Sequence, residues 1–336
     1  MNGTRVFLDY INGLEAAVQI VDGKLEDLFL ETDGFSPGTI FRARVDRAVK
    51  GQGGVFVSFP GGVGFLKHIK GISVGQRMLV QVSGYAEVGK AIPVTARLLF
   101  KSRYVIVTPD APGLNISRNI KDECLRKALL DYLHDELSSQ AFGLILRSSC
   151  ETADFEDILE DAVAMQNAAR AVLGDKGREL CLMLEADSPH RLAWREWTTE
   201  ATIIRRKGCL DQEGIMDLVE YIKLPKVDTG MGFYFVEKTH ALTAVDVNTG
   251  ADTSMSAALK ANIAMAKSLP RQLRLRGIGG QIIIDPAPIP KKDRRLLESV
   301  LKGAFRQDPV QTQILGWTAL GLIELQRART RAPLNL

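Results

Sequence analysis

The sequence is short of the residues that build zinc modules and disulfide frameworks. Its four cysteines, Cys124, Cys150, Cys181 and Cys209, stand far apart, with no CxxC pair and no histidine nearby at zinc-finger spacing. They read as separate reduced thiols, which fits a cytoplasmic chain. No stretch approaches the roughly 20 apolar residues that span a bilayer, and the start MNGTRVFLDYING lacks the basic-then-apolar layout of a signal peptide. A protein with no membrane segment is therefore expected. Internal repeats, low-complexity tracts and long runs of one charge are also missing, so closely packed domains are expected rather than a flexible linker. The net charge of +3 is too small to require a nucleic-acid partner by itself, although it permits one.

What is present is an ordinary globular composition, 46% hydrophobic and 25% charged over 336 residues, enough for two or three cores. Residues 5–21 alternate around a turn at Asn12-Gly13, and an apolar run follows at 25–30, which reads as paired strands. From Pro37 short strands with closely spaced glycines crowd into about 65 residues, the texture of a small closed barrel of the oligonucleotide-binding type. Leucines at 125, 129, 130, 133 and 137 predict a helix over 121–139, followed by a strand at 142–147 and a helix over 156–173. After an apolar run at 180–184, helices are expected at 191–197 and 212–222. The last hundred residues alternate strand and helix: strands at 233–236 and 241–247, a helix over 254–276 with a kink at Pro270, a strand at 281–284, a helix over 290–306 and a strand near Gln313. This is an α/β layer domain in which polar residues at strand ends mark the site.

Two such ends stand out. The run ALTAVDVN stops abruptly at Asp246 and Asn248, which share one face of an extended chain; the run GGQIIID delivers Asp285 just before Pro286. If the two strands are neighbours, the aspartates converge, and like charges that close need a cation between them. Magnesium suits one or two carboxylates with waters and phosphate oxygens. The competing reading is that each aspartate caps the helix that follows it.

At these residues the sequence resembles the ribonuclease E/G family. The matching stretches are ALTAVDVNT (241–249), RQLRLRGIGGQIIID (271–285) and GLIELQRARTR (321–331), preceded in order by VGFLKHI (63–69), VGQRMLVQV (74–82), GLNISRNI (113–120) and GLILRSS (143–149). The resemblance covers nearly the whole chain and implies an α+β multidomain fold. A ribonuclease-H-like portion is made of residues 1–36 and 191–228, with an inserted RNA-binding OB-type barrel of the ribosomal-protein kind at 37–102 and a 5′-end sensor region at 103–190. A deoxyribonuclease-I-like catalytic domain follows at 229–336. It further implies Asp246 and Asp285 as ligands of Mg2+, with Mn2+ as a substitute, and Asn248 as the phosphate-orienting partner. Phe56 and Phe65 are implied as rings that stack RNA, with Lys67 and Lys90 on phosphates. Arg147 and Ser148, with Ile116 and Arg118 in the companion loop, match the residues that sense a 5′ monophosphate. Barrel filling remains the other reading of the two phenylalanines.

The sequence also departs from the family pattern. The CPxC segment by which longer members join protomers through zinc is lacking, so a zinc link is not expected, although a homodimer stays open and protein partners are unknown. His240 stands in place of a glutamate, Thr249-Gly250 in place of Ser-Ala, and Pro286 in place of an aromatic. A histidine near neutral pKa suits a general base, and an exposed turn is its other reading. Lys291, Lys292, Arg294 and Arg295, with the tail Arg327, Arg329 and Arg331, supply cations for phosphate neutralisation or for a solvated surface. The expectation is a magnesium-dependent endoribonuclease acting on single-stranded RNA in RNA processing or decay. An RNA-binding relative with weak or lost catalysis is the alternative, and a structural subunit with a protein ligand is a third reading.

Overall fold

The computed structural model describes residues 3–49, 53–67, 71–136 and 142–334. Leu137, expected on a helix face, and His68 and Ile69 at the end of the VGFLKHI stretch lie outside the described residues. The chain is mixed α+β and divides into two compact units, one made of Met1–Thr32 with Ala201–Leu336 and the other of Asp33–Glu200.

The first unit opens with a meander of β1 (Thr4–Ile11), β2 (Leu14–Val21) and β3 (Lys24–Leu30). The β1–β2 turn is the expected Asn12-Gly13, with φ of 52° and 84°. Two consecutive left-handed residues match the strand twist, and Asn-Gly is the pair that tolerates them.

The second unit holds β4 (Ile40–Val49), β5 (Gly54–Phe59), β6 (Gly62–Lys67), β7 (Arg77–Val82) and β8 (Ile92–Thr95). These five strands form a closed barrel, because β4 pairs with β5 through its second half and with β7 through its first. Phe41, Val45, Val57, Phe59, Leu66 and Val80 fill it. Beyond the barrel come β9 (Phe100–Lys101), β10 (Val105–Thr108), β11 (Leu114–Ile116), α1 (Glu123–Glu136), β12 (Gly143–Leu146), α2 (Phe155–Gly174), β13 (Cys181–Leu184) and α3 (Pro189–Glu196). β9 to β12 make a second sheet on which α1 and α2 pack through Leu129, Leu133, Ile158 and Ala162. The run at 180–184 supplies β13, which joins β4 of the barrel.

The first unit then resumes with β14 (Thr202–Arg205), α4 (Cys209–Gln212) and α5 (Ile215–Lys223). β14 pairs in parallel with β1, and α5 packs Ile215, Val219 and Ile222 against the meander. The remainder is β15 (Lys226–Asp228), β16 (Phe233–Lys238), β17 (Thr243–Asn248), α6 (Met255–Leu275), β18 (Gly280–Asp285), α7 (Lys291–Gln307), β19 (Thr312–Trp317) and β20 (Ile323–Arg327). The strands form one sheet in the order β15-β16-β17-β18-β20-β19. Val245, Val247, Ile282, Ile284, Ile323 and Leu325 face α6 and α7, which bury them under Met265, Leu269, Leu297 and Leu301.

Two features explain the family-like stretch between α6 and β18. The helix stops at a paired bond set in which the Ile278 amide reaches the Leu273 carbonyl and the Gly277 amide the Arg274 carbonyl. That closure needs a left-handed residue, and Gly277 has φ of 60°, where a Cβ would also run into the Ala332 carbonyl. β20 was not expected, because its inward set is Ile323, Leu325 and Arg327, and a charged inward residue breaks the apolar alternation that marks a strand.

Arg327 shows why the charge is tolerated. Its guanidinium donates to Asp308 at 3.0 Å, and Asp308 also takes a hydrogen bond from Arg274. Arg274 in turn meets Glu26 at 2.6 Å and Asp27 at 3.2 Å, and Arg331 meets Asp27 at 2.8 Å. The network ties β3, α6, α7 and β20 together. Removing one partner of such a buried set strands the others, so Asp308→Ala is expected to cost about 3–5 kcal/mol of unfolding free energy in urea titration. A loss under about 1 kcal/mol, the range of exposed pairs, would contradict this.

Candidate active site

The site is built by strand register. β17 and β18 are parallel neighbours, and Asp246 pairs directly with Asp285. In the same row Phe235 lies opposite Asp246, and Lys226 opposite Phe235. Alternation sends Val245, Val247 and Ile284 to the helices and leaves Asp246 and Asp285 exposed on the other face. Asn248, two residues on, shares that face and donates from Nδ2 to Oδ2 of Asp246 at 3.0 Å.

Neither aspartate caps a helix. Ser254 is the N-cap of α6, its hydroxyl accepting from the Ala257 amide, and Pro290 precedes α7. The capping reading is therefore overturned, and the two carboxylates are held side by side with no local structural task. Adjacent strands run about 4.8 Å apart. Two carboxylates carried side by side on neighbouring strands repel, and a cation between them would relieve it. Among the described residues no cluster of three or more histidine, cysteine, aspartate or glutamate side chains gathers for a metal. That donor set suits a hard ion that keeps most of its waters, such as magnesium, and not a structural zinc.

His240 lies in the β16–β17 turn, exposed, at the end of β17 remote from Asp246. From Thr243, where β17 begins, to Asp246 is about 10 Å of strand, which keeps the turn histidine out of hydrogen-bond reach of the carboxylates. The tail arginines are also not free for phosphate: Arg327 and Arg331 belong to the buried network, and Arg329 donates to the Gly279 carbonyl at 2.6 Å. Of the α7 cations, Arg294 packs over the Trp317 ring at 4.4 Å, while Lys291, Lys292 and Arg295 remain exposed just beyond Asp285.

In the barrel, Phe56 and Phe65 are register partners with ring centroids 5.3 Å apart. Neither belongs to the barrel core, which Phe41 and Phe59 occupy, so the core-filler reading fails. Both are half-buried on the outer face, and Lys67 follows Phe65 on that face. Gly54 makes room, since a Cβ there would strike the Phe65 ring at 2.5 Å. Arg47, which the sequence does not single out, lies over Phe56 at 5.0 Å. Lys90 sits in the β7–β8 loop, paired with Glu87 at 2.7 Å.

Parallel pairing of β11 with β12 sets Ile116 opposite Leu146 and brings Arg118, Arg147 and Ser148 to one sheet end. Ser148 and Arg118 are exposed, and Ile116 packs against the core beneath. Arg147 already has an anion: it meets Glu196 at 2.6 Å, and Arg195 reaches the same carboxylate at 2.8 Å. Burial pushes the Glu196 carboxyl up, but the two guanidiniums outweigh it and hold it below its ordinary range. Arg195 also pairs with Asp187 at 2.6 Å. No sequence motif pointed to Glu196, because its partner lies 49 residues away.

The ribonuclease E/G family model matches residues 100–204 and 203–330. Ribonuclease G of Salmonella typhimurium is 28% identical over 386 aligned residues, covering 94% of this chain and 78% of that protein. Ribonuclease G of Escherichia coli is 27% identical with the same coverage. Ribonuclease E of Nostoc sp. is 28% identical over 296 aligned residues, covering 76% of this chain and 43% of that protein.

The depressed pKa of Glu196 gives a stability test with a definite sign. Such a group stabilises the fold above its unfolded pKa near 4.3, and the contribution fades as pH falls through the lower folded value. Wild type is expected to melt above Glu196→Gln at pH 7, with the gap constant down to about pH 5 and narrowing below about pH 4. A gap that stays the same from pH 7 to pH 3 would contradict the ion-pair account.

Proposed function

The chain belongs to the ribonuclease E/G family, and we propose that it is an endoribonuclease that hydrolyses single-stranded RNA at the Asp246–Asp285 pair, in RNA processing or decay. The register that sets these carboxylates side by side on an open sheet face is the observation that carries the reading. The six-stranded sheet with α6 and α7 is assigned as the deoxyribonuclease-I-like portion, and the meander with β14 and α5 as the ribonuclease-H-like portion.

Asp246 and Asp285 are the residues that hold Mg2+, for which Mn2+ substitutes. When bound, the ion supplies a Lewis acid that polarises a phosphoryl oxygen and lowers the pKa of water. Asn248 fixes the Asp246 carboxylate through its amide, and the rest of that amide is left to orient a phosphate oxygen. Attack by water at phosphorus breaks the bond to O3′; the water oxygen stays on phosphorus and its proton passes, through solvent, to the departing O3′. The products are a 5′ phosphate and a 3′ hydroxyl.

The barrel binds the RNA strand through its own outer face. Phe56 and Phe65 offer ring faces on which bases stack at roughly 1–3 kcal/mol each, whatever the sequence, and Lys67, Lys90 and Arg47 neutralise phosphates. Arg147, Ser148, Ile116 and Arg118 form the 5′-end site, in which a 5′ phosphate takes over Arg147 from Glu196.

Purified protein incubated with labelled single-stranded RNA is expected to cut it with magnesium and not with chelator. Asp246→Asn and Asp285→Asn should each lower cleavage by more than roughly 100-fold while RNA binding persists. Cleavage unaltered in both variants would defeat the assignment of the site. Phe65→Ala is expected to weaken RNA binding about 10-fold, and Lys67→Ala to reduce the slope of log affinity against log salt by about 1. Filter binding at two salt concentrations reads both effects.

A further inference from the structure

β16 presents aromatic residues on both faces. Tyr234 and Val236 point to the helices, as a one-sided sheet requires, and the Tyr234 hydroxyl is paired with Ser268 at 2.8 Å. Phe233 and Phe235 lie on the opposite face, half-buried, with ring centroids 5.7 Å apart and planes at 87°. Around them that face is mostly polar: Asn248 stands opposite Phe233, Asp246 opposite Phe235, and Gln281 and Glu324 lie further along, with Ala244 and Ile283 as the small and aliphatic members of the next row. The helices need no aromatic there, and water does not favour one.

The position of these rings suggests their use. Phe235 is the immediate cross-strand neighbour of Asp246, in the row that continues to Asp285. On its other side, at the sheet edge, Lys226 places its ammonium 4.2 Å from the centroid of Phe233. Reading across the sheet, one row therefore offers a cation, a ring and two carboxylates. A polynucleotide alternates the matching groups, a phosphate, a base and the next phosphate. Cross-strand packing of aromatics stabilises sheets too, but it does not call for a lysine on one side and a carboxylate pair on the other.

We propose that Phe235, flanked by Phe233 and Lys226, is the stacking site for the nucleobase adjoining the phosphodiester that Asp246 and Asp285 engage. It rests on the nuclease reading and adds a second base-binding surface, in the other unit from the Phe56–Phe65 pair. The ring accepts any base, because every base has a π face, so the site sets the position of the strand rather than its sequence. Lys226 meets the phosphate on the far side of that base. Phe235 is a positioning residue: it acts on KM and on the register of the cut.

The test uses full-length protein and short single-stranded RNAs carrying one 5-iodouridine at successive positions. In Asp246→Asn, which keeps the RNA intact, irradiation is expected to cross-link the base beside the cleavage position to the peptide containing 233–238. In the active protein, Phe235→Leu should raise KM about 10-fold and blur the cut position with kcat little changed, Phe235→Trp should restore both, and Mn2+ binding should be unaltered. Cross-links confined to Phe56 and Phe65, with Phe235→Leu cutting the same RNA at wild-type KM, would overturn the proposal and leave the nuclease reading intact. If wild type cuts nothing, the nuclease reading falls, and the cross-link to 233–238 still decides whether a base sits on Phe235.

Discussion

Parallel, in-register pairing of β17 with β18 places two carboxylates side by side on a sheet face that the helices do not cover. The crossover through α6 makes the pairing parallel, and the glycine closure at its end returns the chain to the sheet at the required register. A slip of one residue would turn Asp285 into the core and Ile284 out of it, so the apolar faces of the two strands enforce the arrangement. The core thus sets the two carboxylates side by side, and the repulsion between them is a cost that the proposed cation would offset.

The same sheet is held from behind by buried charge. Arg274 and Arg327 converge on Asp308, and Arg274 and Arg331 on Asp27, so the meander, both helices and the strand next to β18 are tied through a few ion pairs. Residues of the QLRLR and LQRARTR stretches are therefore mainly structural. They keep β20 beside β18 and so keep Asp285 where β17 delivers Asp246. Glu196 plays a comparable part in the other unit, neutralising Arg147 and Arg195 at a sheet end rich in cations.

Much of this was legible in the sequence, for physical reasons. Asp246, Asn248 and Asp285 stand at abrupt ends of apolar runs, and alternation alone puts the first two on one face. The hairpin at Asn12-Gly13 and the short barrel strands follow from turn chemistry and period. What sequence could not give was adjacency: that β17 neighbours β18, or that a helix cap lies at Ser254 rather than at an aspartate. Charge misleads for the same reason. Arg327 and Arg331 look like a cationic tail until their partners, Asp308 and Asp27, are found far away in the chain. Phe233 and Phe235 were passed over because FYFV reads as one buried run, although its alternate residues face opposite ways.

The account stands on the claim that residues 246 and 285 share one divalent ion. Electron paramagnetic resonance titration with Mn2+ measures this without RNA or turnover. Wild type is expected to bind an ion that Mg2+ displaces, and Asp246→Asn and Asp285→Asn should each abolish that same binding. Mn2+ binding that survives in both variants would contradict the claim.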